Sequence, residues 1–218
     1  MNVKLINLTQ SQIKTEDGSR YLTAEEIIGY CARISNPINQ LNTETAPKLL
    51  KYCLHHGHWS IFEQVSMTVE IHTSRAIASQ ILRHRSFSFQ EFSQRYSNAT
   101  ELENIEWRMQ GKTNRQVGDE VVNLPSSLDL RLKTLQQECL DVYNSLLKEG
   151  IAKECARMVL PLNTMTKIYM SGTIRSWIHY INIRTEESTQ KEHRDIAIEI
   201  KKILMENFPN TSTALGWL

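Results

Sequence analysis

At 218 residues the chain is long enough to bury a substantial core without metals or disulfides, and it reads as one domain over 1–218. Its 25 Lys and Arg against 24 Asp and Glu leave a net charge of +1, which excludes a global electrostatic drive toward nucleic acid or a membrane surface, so any anion site has to be local. The four cysteines, Cys31, Cys53, Cys139 and Cys155, form no CxxC pair, which argues against a zinc knuckle or a disulfide framework and fits a reducing compartment.

The opening MNVKLINLTQ has no charged leader ahead of an apolar run, and no apolar stretch approaches the roughly 20 residues of a membrane-spanning helix, so a soluble cytoplasmic protein is expected. Asn2 to Leu8 alternates well enough for a strand. Thr23, with Glu26 three residues later, predicts the start of a helix running through Ile27, Ile28, Cys31 and Ile34 to a stop at Asn36-Pro37. A second helix is expected from near Thr43, carrying Leu49, Leu50, Cys53 and Leu54 into the turn His55-His56-Gly57-His58. Val65 to His72 places Val65, Met67, Val69 and Ile71 on one face of a half-buried strand. Ser74 opens a short helix through Ala76, Ile77, Ile81 and Leu82, followed by a Ser- and Phe-rich stretch read as irregular or extended.

Beyond it, Ile105 to Met109 reads as a further strand and Gly111 to Asn123 as a mobile loop. The second half is mostly helical: Ser127 to Lys148 ending at Gly150, Ala152 to Leu160 stopped by Pro161, Ile174 to about Ile183, and Lys191 to Asn207. No internal repeat or linker divides the sequence. The fold expected is α+β: a small, mainly antiparallel sheet built from the first strand, Val65 to His72 and up to two others, packed with several helices in a single domain.

The densest chemical signal is Arg83-His84-Arg85, followed after seven residues by Ser93 and then Arg95-Tyr96. Two guanidinium groups and an imidazole at a helix end suit a phosphate or an electron-rich ring, although an isolated basic triplet is usually a solvated helix end. If the segment is extended, Glu91, Ser93 and Arg95 form one row, with Phe92 and Gln94 facing the other way. Such a row can read a sugar hydroxyl and a phosphate; by spacing alone an ordinary polar strand face looks the same. In the helix from Ile174, the positions Ile174, Trp177, Ile178 and Ile181 make a core stripe with Arg175 and His179 on one flank. Arg184 falls on the opposite side of an ideal helix from Arg175, so either the helix breaks or the two arginines serve different ligands.

The pattern RHRx7S continued as SxRY, complete here, resembles the signature of flavin-dependent thymidylate synthases. His58-Trp59-Ser60-Ile61-Phe62-Glu63-Gln64 is similar to that family's HxSxFEH turn, with Gln64 at the final position. Glu154-Cys155-Ala156-Arg157-Met158-Val159-Leu160-Pro161 resembles its EIARxVLP segment, and Arg175-Ser176-Trp177-Ile178-His179 through Arg184 its RSxxHFxxxR helix. The resemblance spans nearly the whole chain in order.

It implies reductive methylation of dUMP to dTMP, with methylenetetrahydrofolate as carbon donor and NADPH-reduced FAD as hydride source, in a homotetramer with FAD sites shared between subunits. Carried onto matching positions, it implies FAD contacts from His58, Ser60, Arg83, His84, Arg85, Glu91, Thr173, Arg175 and His179. It implies dUMP contacts from Gln80, Arg83, Glu91, Ser93, Arg95, Arg157 and Arg184, with Arg184 the catalytic cation that polarises the uracil ring. Thr173 stands where the family often has Asn, and a hydroxyl does not reproduce an amide's geometry.

No cysteine is read in the nucleotide motifs, so a cysteine-independent route is expected, and Ser93, with no evident His–Asp relay, is expected to position dUMP rather than attack it. A zinc site from His55, His56, His58 and Cys53 is set aside because adjacent histidines at a helix end diverge and no second ligand pair follows, so no metal is expected. Two competing readings remain: a nucleic-acid-binding regulator using RHRSFSF, weakened by Glu91 and the near-neutral charge, and a flavoprotein reducing something other than a deoxynucleotide.

Overall fold

A computed structural model describes residues 2–98 and 101–218 of the chain, and its architecture is α+β. The first strand, β1 (Asn2–Leu8), leads to α1 (Ala24–Ala32). The Thr23 hydroxyl accepts the Glu26 N–H at 3.2 Å while the Glu26 carboxylate accepts the Thr23 N–H at 2.8 Å. This reciprocal cap stabilises the start of α1 by about 1 kcal/mol. The helix ends before Ile34, which is 75% exposed; the apolar spacing overran the last packed turn. The next helix, α2 (Ala46–His55), begins with Pro47 in its first turn rather than near Thr43, and the chain turns away at Gly57, whose φ of 69° is left-handed.

A 3-10 turn, Trp59–Glu63, precedes β2 (Ser66–Ser74), which buries Met67, Val69, Ile71 and Thr73 in strict alternation. There follow α3 (Arg75–Ile81), β3 (Ser88–Glu91), β4 (Arg108–Gln110) and β5 (Gly118–Val121). The last two pair antiparallel, which corrects two expectations: Ile105 lies outside any strand, and Gly111 to Asn123 includes one arm of this hairpin. Exposure on both faces of β5 removed the alternation that would have revealed it.

The long helix α4 (Ser126–Lys148) stops at Gly150, with φ 79°. The helix expected over 152–160 is instead α5 (Lys153–Ala156) continued by a 3-10 turn, Arg157–Val159. Next comes β6 (Met165–Thr173), a strand the sequence reading passed over. Its buried positions Thr166, Ile168 and Met170 include a polar residue, so its apolar signal is short. The chain closes with α6 (Ile174–Arg184), α7 (Lys191–Asn207) and α8 (Pro209–Ala214), the last also unforeseen.

The main sheet runs β1–β2–β6–β3, every neighbouring pair antiparallel. Thus β6 lies at the centre, and the main sheet is completed by β3 and β6, while the expected strand over Ile105 to Met109 contributes only to the separate β4–β5 pair. One face of this sheet packs against α6 and α7 through a single apolar cluster that includes Met67, Ile71, Trp177, Tyr180 and Ile196. The Trp177 indole N–H donates to the Met67 carbonyl at 3.0 Å, so its one polar group is satisfied inside the core. Phe87 packs closely on β6 at Gly172, where a Cβ would sit 2.5 Å from the ring. That contact pins the segment between α3 and β3, the segment carrying Arg83, His84 and Arg85.

Candidate active site

The seven-residue α3 ends at Ile81 and hands the chain directly to Arg83-His84-Arg85. Apolar anchors flank the triplet: Ile81 is buried before it, and Phe87, stacked edge-on against Trp177 at 4.6 Å, is buried after it. His84 is the member turned inward, its ring edge-on to Tyr180 at 4.9 Å. Burial, with Arg184, His179 and Arg83 nearby, pushes its pKa down from 6.5 to about 4, so the ring is neutral at ordinary pH. The Arg184 Nε donates to His84 Nε2 at 2.9 Å, which fixes the His84 proton on Nδ1.

The helix α6 runs unbroken through Arg175 and Arg184, and the two side chains leave it toward different places. Arg184 reaches inward to His84, whereas Arg175 pairs with Glu63 across an open cleft. All four expected core positions, Ile174, Trp177, Ile178 and Ile181, are buried, and Tyr180 joins them.

The cleft beside Arg175 has a volume of about 520 Å³ and is lined by Trp59, Glu63, Ser86, Arg175, His179 and Asn182, among others. Arg175, His179 and Asn182 line it from α6 because positions i, i+4 and i+7 share a helix face. The 3-10 turn supplies Trp59 and Glu63, and Ser60 stands exposed on the same turn. The Thr173 hydroxyl accepts the Ser176 N–H at 3.3 Å and donates to Ser176 Oγ at 3.2 Å, so it serves as the N-cap of α6. Ser176 in turn donates to the Ser86 carbonyl at 3.3 Å, tying the helix start to the arginine segment. His58 lies outside this lining: it is exposed, with its ring 5.8 Å from Tyr52, and His56 stacks on the same tyrosine at 4.0 Å. The rings of His55 and His56 meet edge to face, with centroids 5.2 Å apart.

On the other side of His84 lies a polar chain that the sequence reading missed. His193, fully buried on α7, has Nε2 3.0 Å from the Tyr180 hydroxyl and Nδ1 3.3 Å from Gln80 Oε1. Gln80 Nε2 donates to Gln190 Oε1 at 2.7 Å, and Gln190 Nε2 donates to Glu192 at 2.9 Å. Glu192 also accepts from Arg108 of the hairpin at 2.5 Å. Burial, reinforced by Arg184, His84 and Arg83, pushes the His193 pKa down to about 3, and burial pushes the Tyr180 hydroxyl well above its usual range. A signal for His193 was present: it is the one polar residue on the stripe His193, Ile196, Ala197, Ile200 and Leu204.

The remaining expected residues lie elsewhere. Glu91 ends β3, the Phe92 N–H still donates to the Lys167 carbonyl of β6, and the chain then turns, with the N–H groups of Tyr96 and Ser97 donating to the Ser93 carbonyl. The extended row of Glu91, Ser93 and Arg95 therefore does not exist. Gln94 is buried, while Ser93 and Arg95 are exposed. Glu91 pairs with Arg75 at 3.1 Å and accepts the Thr166 hydroxyl at 3.0 Å; Arg95 pairs with Glu154 at 3.0 Å. Arg157 lines a small cleft of about 210 Å³ together with Arg75 and Gln94. Gln80 and Glu91 are thus associated with opposite ends of α3, because Glu91 holds Arg75 at the first turn. Cys155 is exposed within the segment that carries Arg157, which corrects the expectation that no cysteine lies in these motifs.

The family model described as thymidylate synthase complementing protein matches residues 19–210. The chain is similar to a probable flavin-dependent thymidylate synthase of Paramecium bursaria Chlorella virus 1, with 49% identity over 223 residues that cover 100% of both chains. It is similar to a flavin-dependent thymidylate synthase of Synechocystis sp., with 51% identity over 219 residues and the same full coverage. A third relative of the same description, from Thermus thermophilus, is 33% identical over 187 residues, covering 85% of this chain and 69% of the relative.

Proposed function

The chain belongs to the flavin-dependent thymidylate synthase family, and from that membership we propose that it converts dUMP to dTMP by reductive methylation, with methylenetetrahydrofolate as carbon donor and NADPH as the source of reducing equivalents. The observation that carries the proposal is the contact between Arg184 and His84: two motifs a hundred positions apart meet at 2.9 Å.

The residues around the larger cleft fit a flavin nucleotide. Its volume lies within the range of cofactor pockets, Trp59 offers an aromatic wall, and Arg175 and His179 offer donors to phosphate oxygens. Ser60, Ser86, Arg175 and His179 would hold the cofactor there, with Arg83 and Arg85 flanking. When bound, reduced FAD supplies the hydride that completes the methyl group.

The protein's own part is electrostatic. Uracil C5 becomes nucleophilic only when negative charge on the ring is stabilised, and Arg184 is the cation suited to that task. Its Nε is held by a neutral imidazole rather than a carboxylate, and among the described residues no ion pair neutralises it. His84 therefore aims the guanidinium without cancelling its charge, which is the arrangement that stabilises an anion forming beside it.

Glu91 and Arg157 lie away from Gln80 and Arg184, so the site is best completed by a second copy of the chain in a homotetramer. Exposed Leu130, Leu135 and Val142 on α4, with Met158 and Leu162 near Arg157, are apolar surface suited to that association. No helix among the described residues is long and apolar enough to cross a membrane, and the proposed setting is the cytoplasm. Purified protein should release tritium from dUMP labelled at C5 only when FAD, NADPH and methylenetetrahydrofolate are all present. A colourless protein that cannot be reconstituted with FAD and releases no tritium would overturn the proposal.

A further inference from the structure

The polar chain from Tyr180 to Arg108 has a direction, and that direction can be read from one end. Glu192 lies half-buried in the first turn of α7. Burial raises its pKa, but the hydrogen bonds from Arg108 and from its own backbone and Gln190 outweigh that effect and hold the carboxyl below its usual range. An ionised carboxylate can only accept hydrogen bonds. The group of Gln190 facing it must therefore be the NH2, which turns the Gln190 oxygen toward Gln80. Gln80 then has to present its own NH2 to Gln190 and its oxygen to His193. His193 consequently carries its proton on Nδ1 and accepts the Tyr180 O–H at Nε2. One anchored charge removes the flip freedom of two amides and the tautomer freedom of one imidazole.

We propose that Glu192, Gln190 and His193 are positioning residues for the nucleotide, acting by fixing which way the Gln80 amide faces, with Arg108 tying the β4–β5 hairpin to the same chain. The inference rests on the reading of Gln80 as a dUMP contact. Locked in this way, Gln80 has one N–H and one oxygen lone pair left, both in set places, to offer a ligand. A Gln80 free to invert would present the wrong partner half of the time and would lose a buried hydrogen bond whenever it did so. The arrangement spans three helices and the hairpin, which no local sequence pattern requires. It also accounts for a histidine at the head of an apolar stripe, where the desolvation of its ring has to be offset by two hydrogen bonds.

The test is a double-mutant cycle on the intact, FAD-loaded enzyme. Glu192→Gln keeps shape but can donate as well as accept, so the direction is no longer imposed. We expect KM for dUMP to rise about tenfold while kcat stays within about twofold, as the loss of one oriented hydrogen bond implies. In a Gln80→Ala background the same substitution should have no further effect on KM, because the group it acts through is gone. His193→Gln, which retains a donor toward Gln80, should keep KM within about threefold, whereas His193→Leu should raise it as Glu192→Gln does. This second pair keeps the test sharp if loss of the Arg108 contact lowers the thermal midpoint. An equal rise of KM with and without the Gln80→Ala substitution, or His193→Leu behaving like His193→Gln, would overturn the proposal. Failure of the underlying reading looks different: Gln80→Ala alone would leave KM for dUMP unchanged, or the unaltered protein would release no tritium. Either result removes the ligand that the chain is proposed to orient.

Discussion

The two ends of α3 are built on opposite principles. At its C-terminal end Gln80, His84, Arg184, His193 and Tyr180 form an inward-facing group in which each hydrogen-bond partner is specified and both imidazoles are held neutral. At its N-terminal end the ties are fewer: Arg75 and Glu91 form a part-buried ion pair, Arg95 pairs with Glu154 at the surface, Ser93 is exposed, and Arg157 lines a small open cleft with Arg75. An exposed pair such as Arg95 with Glu154 contributes little and rearranges easily. On the reading proposed above, the contrast teaches that one half of the site is preorganised within a single chain, where charge must be delivered at a fixed point, and that the other half is left to be organised by a ligand or by a second copy.

The comparison breaks most severely at Arg184. Replacing it with Ala should lower kcat by about 10²–10³-fold, the usual consequence of removing one preorganised group that stabilises developing charge. Flavin content, read from the visible spectrum, should stay near normal because α6 is anchored by its buried stripe and not by this side chain. If turnover survives, charge on the uracil is stabilised elsewhere. Next in size is Gly172→Ala, which forces Phe87 off the sheet. Overpacking of this kind costs about 1–3 kcal/mol, measurable as a lower denaturant midpoint. Because Phe87 pins the arginine segment, the variant should also retain less flavin.

The preorganised half was only partly legible in the sequence. Arg83-His84-Arg85 and the stripe of α6 could be read because motif spacing and helical period are local properties. That Arg175 and Arg184 face different ways also followed from 100° per residue. The link from Tyr180 through His193 and Gln80 to Gln190 joins three helices and depends on packing that no local period encodes. The central strand β6 escaped because buried Thr166 and small Gly172 interrupt its apolar alternation. In the exposed half the period-two reading of Glu91, Ser93 and Arg95 failed, since the turn after Glu91 is held by backbone bonds to the Ser93 carbonyl, which side-chain spacing does not reveal.

Two smaller effects sharpen the contrast. Arg157→Ala, on the exposed side, should raise KM for dUMP about tenfold, the scale of one charged hydrogen bond, with no change in the denaturant midpoint. A simultaneous fall in stability would mean that Arg157 is structural. On the buried side, His193 makes stability depend on pH. Folded, its pKa is pushed from 6.5 down to about 3, so between those values the unfolded chain holds a proton that the folded chain lacks. Stability attributable to this difference is complete above pH 6.5 and is lost progressively as the pH falls toward 3. His193→Gln should therefore reduce the proton uptake on unfolding by about one across that window, as read from unfolding free energies measured at several pH values. An unchanged slope would show that His193 is not held neutral.

The smallest effects are expected where the exposed half carries groups that look nucleophilic. Ser93 is solvent-facing, and its carbonyl, not its hydroxyl, makes the turn that follows β3. Cys155 is likewise exposed, on α5 beside Glu154, whose carboxylate is already paired with Arg95. Among the described residues neither the Ser93 hydroxyl nor the Cys155 thiol is hydrogen-bonded to a base of the kind that activates a nucleophile. Ser93→Ala should weaken dUMP binding or turnover by less than about tenfold, the size of one lost hydrogen bond. Cys155→Ser should stay within about twofold, as a surface substitution away from the reacting atoms does. Complete loss of tritium release in Ser93→Ala with unchanged affinity for dUMP would make the serine covalently essential. The same result for Cys155→Ser would assign the ring activation to a thiol. Either outcome would move the reacting centre from the end of α3 that is built to hold charge to the end that is not.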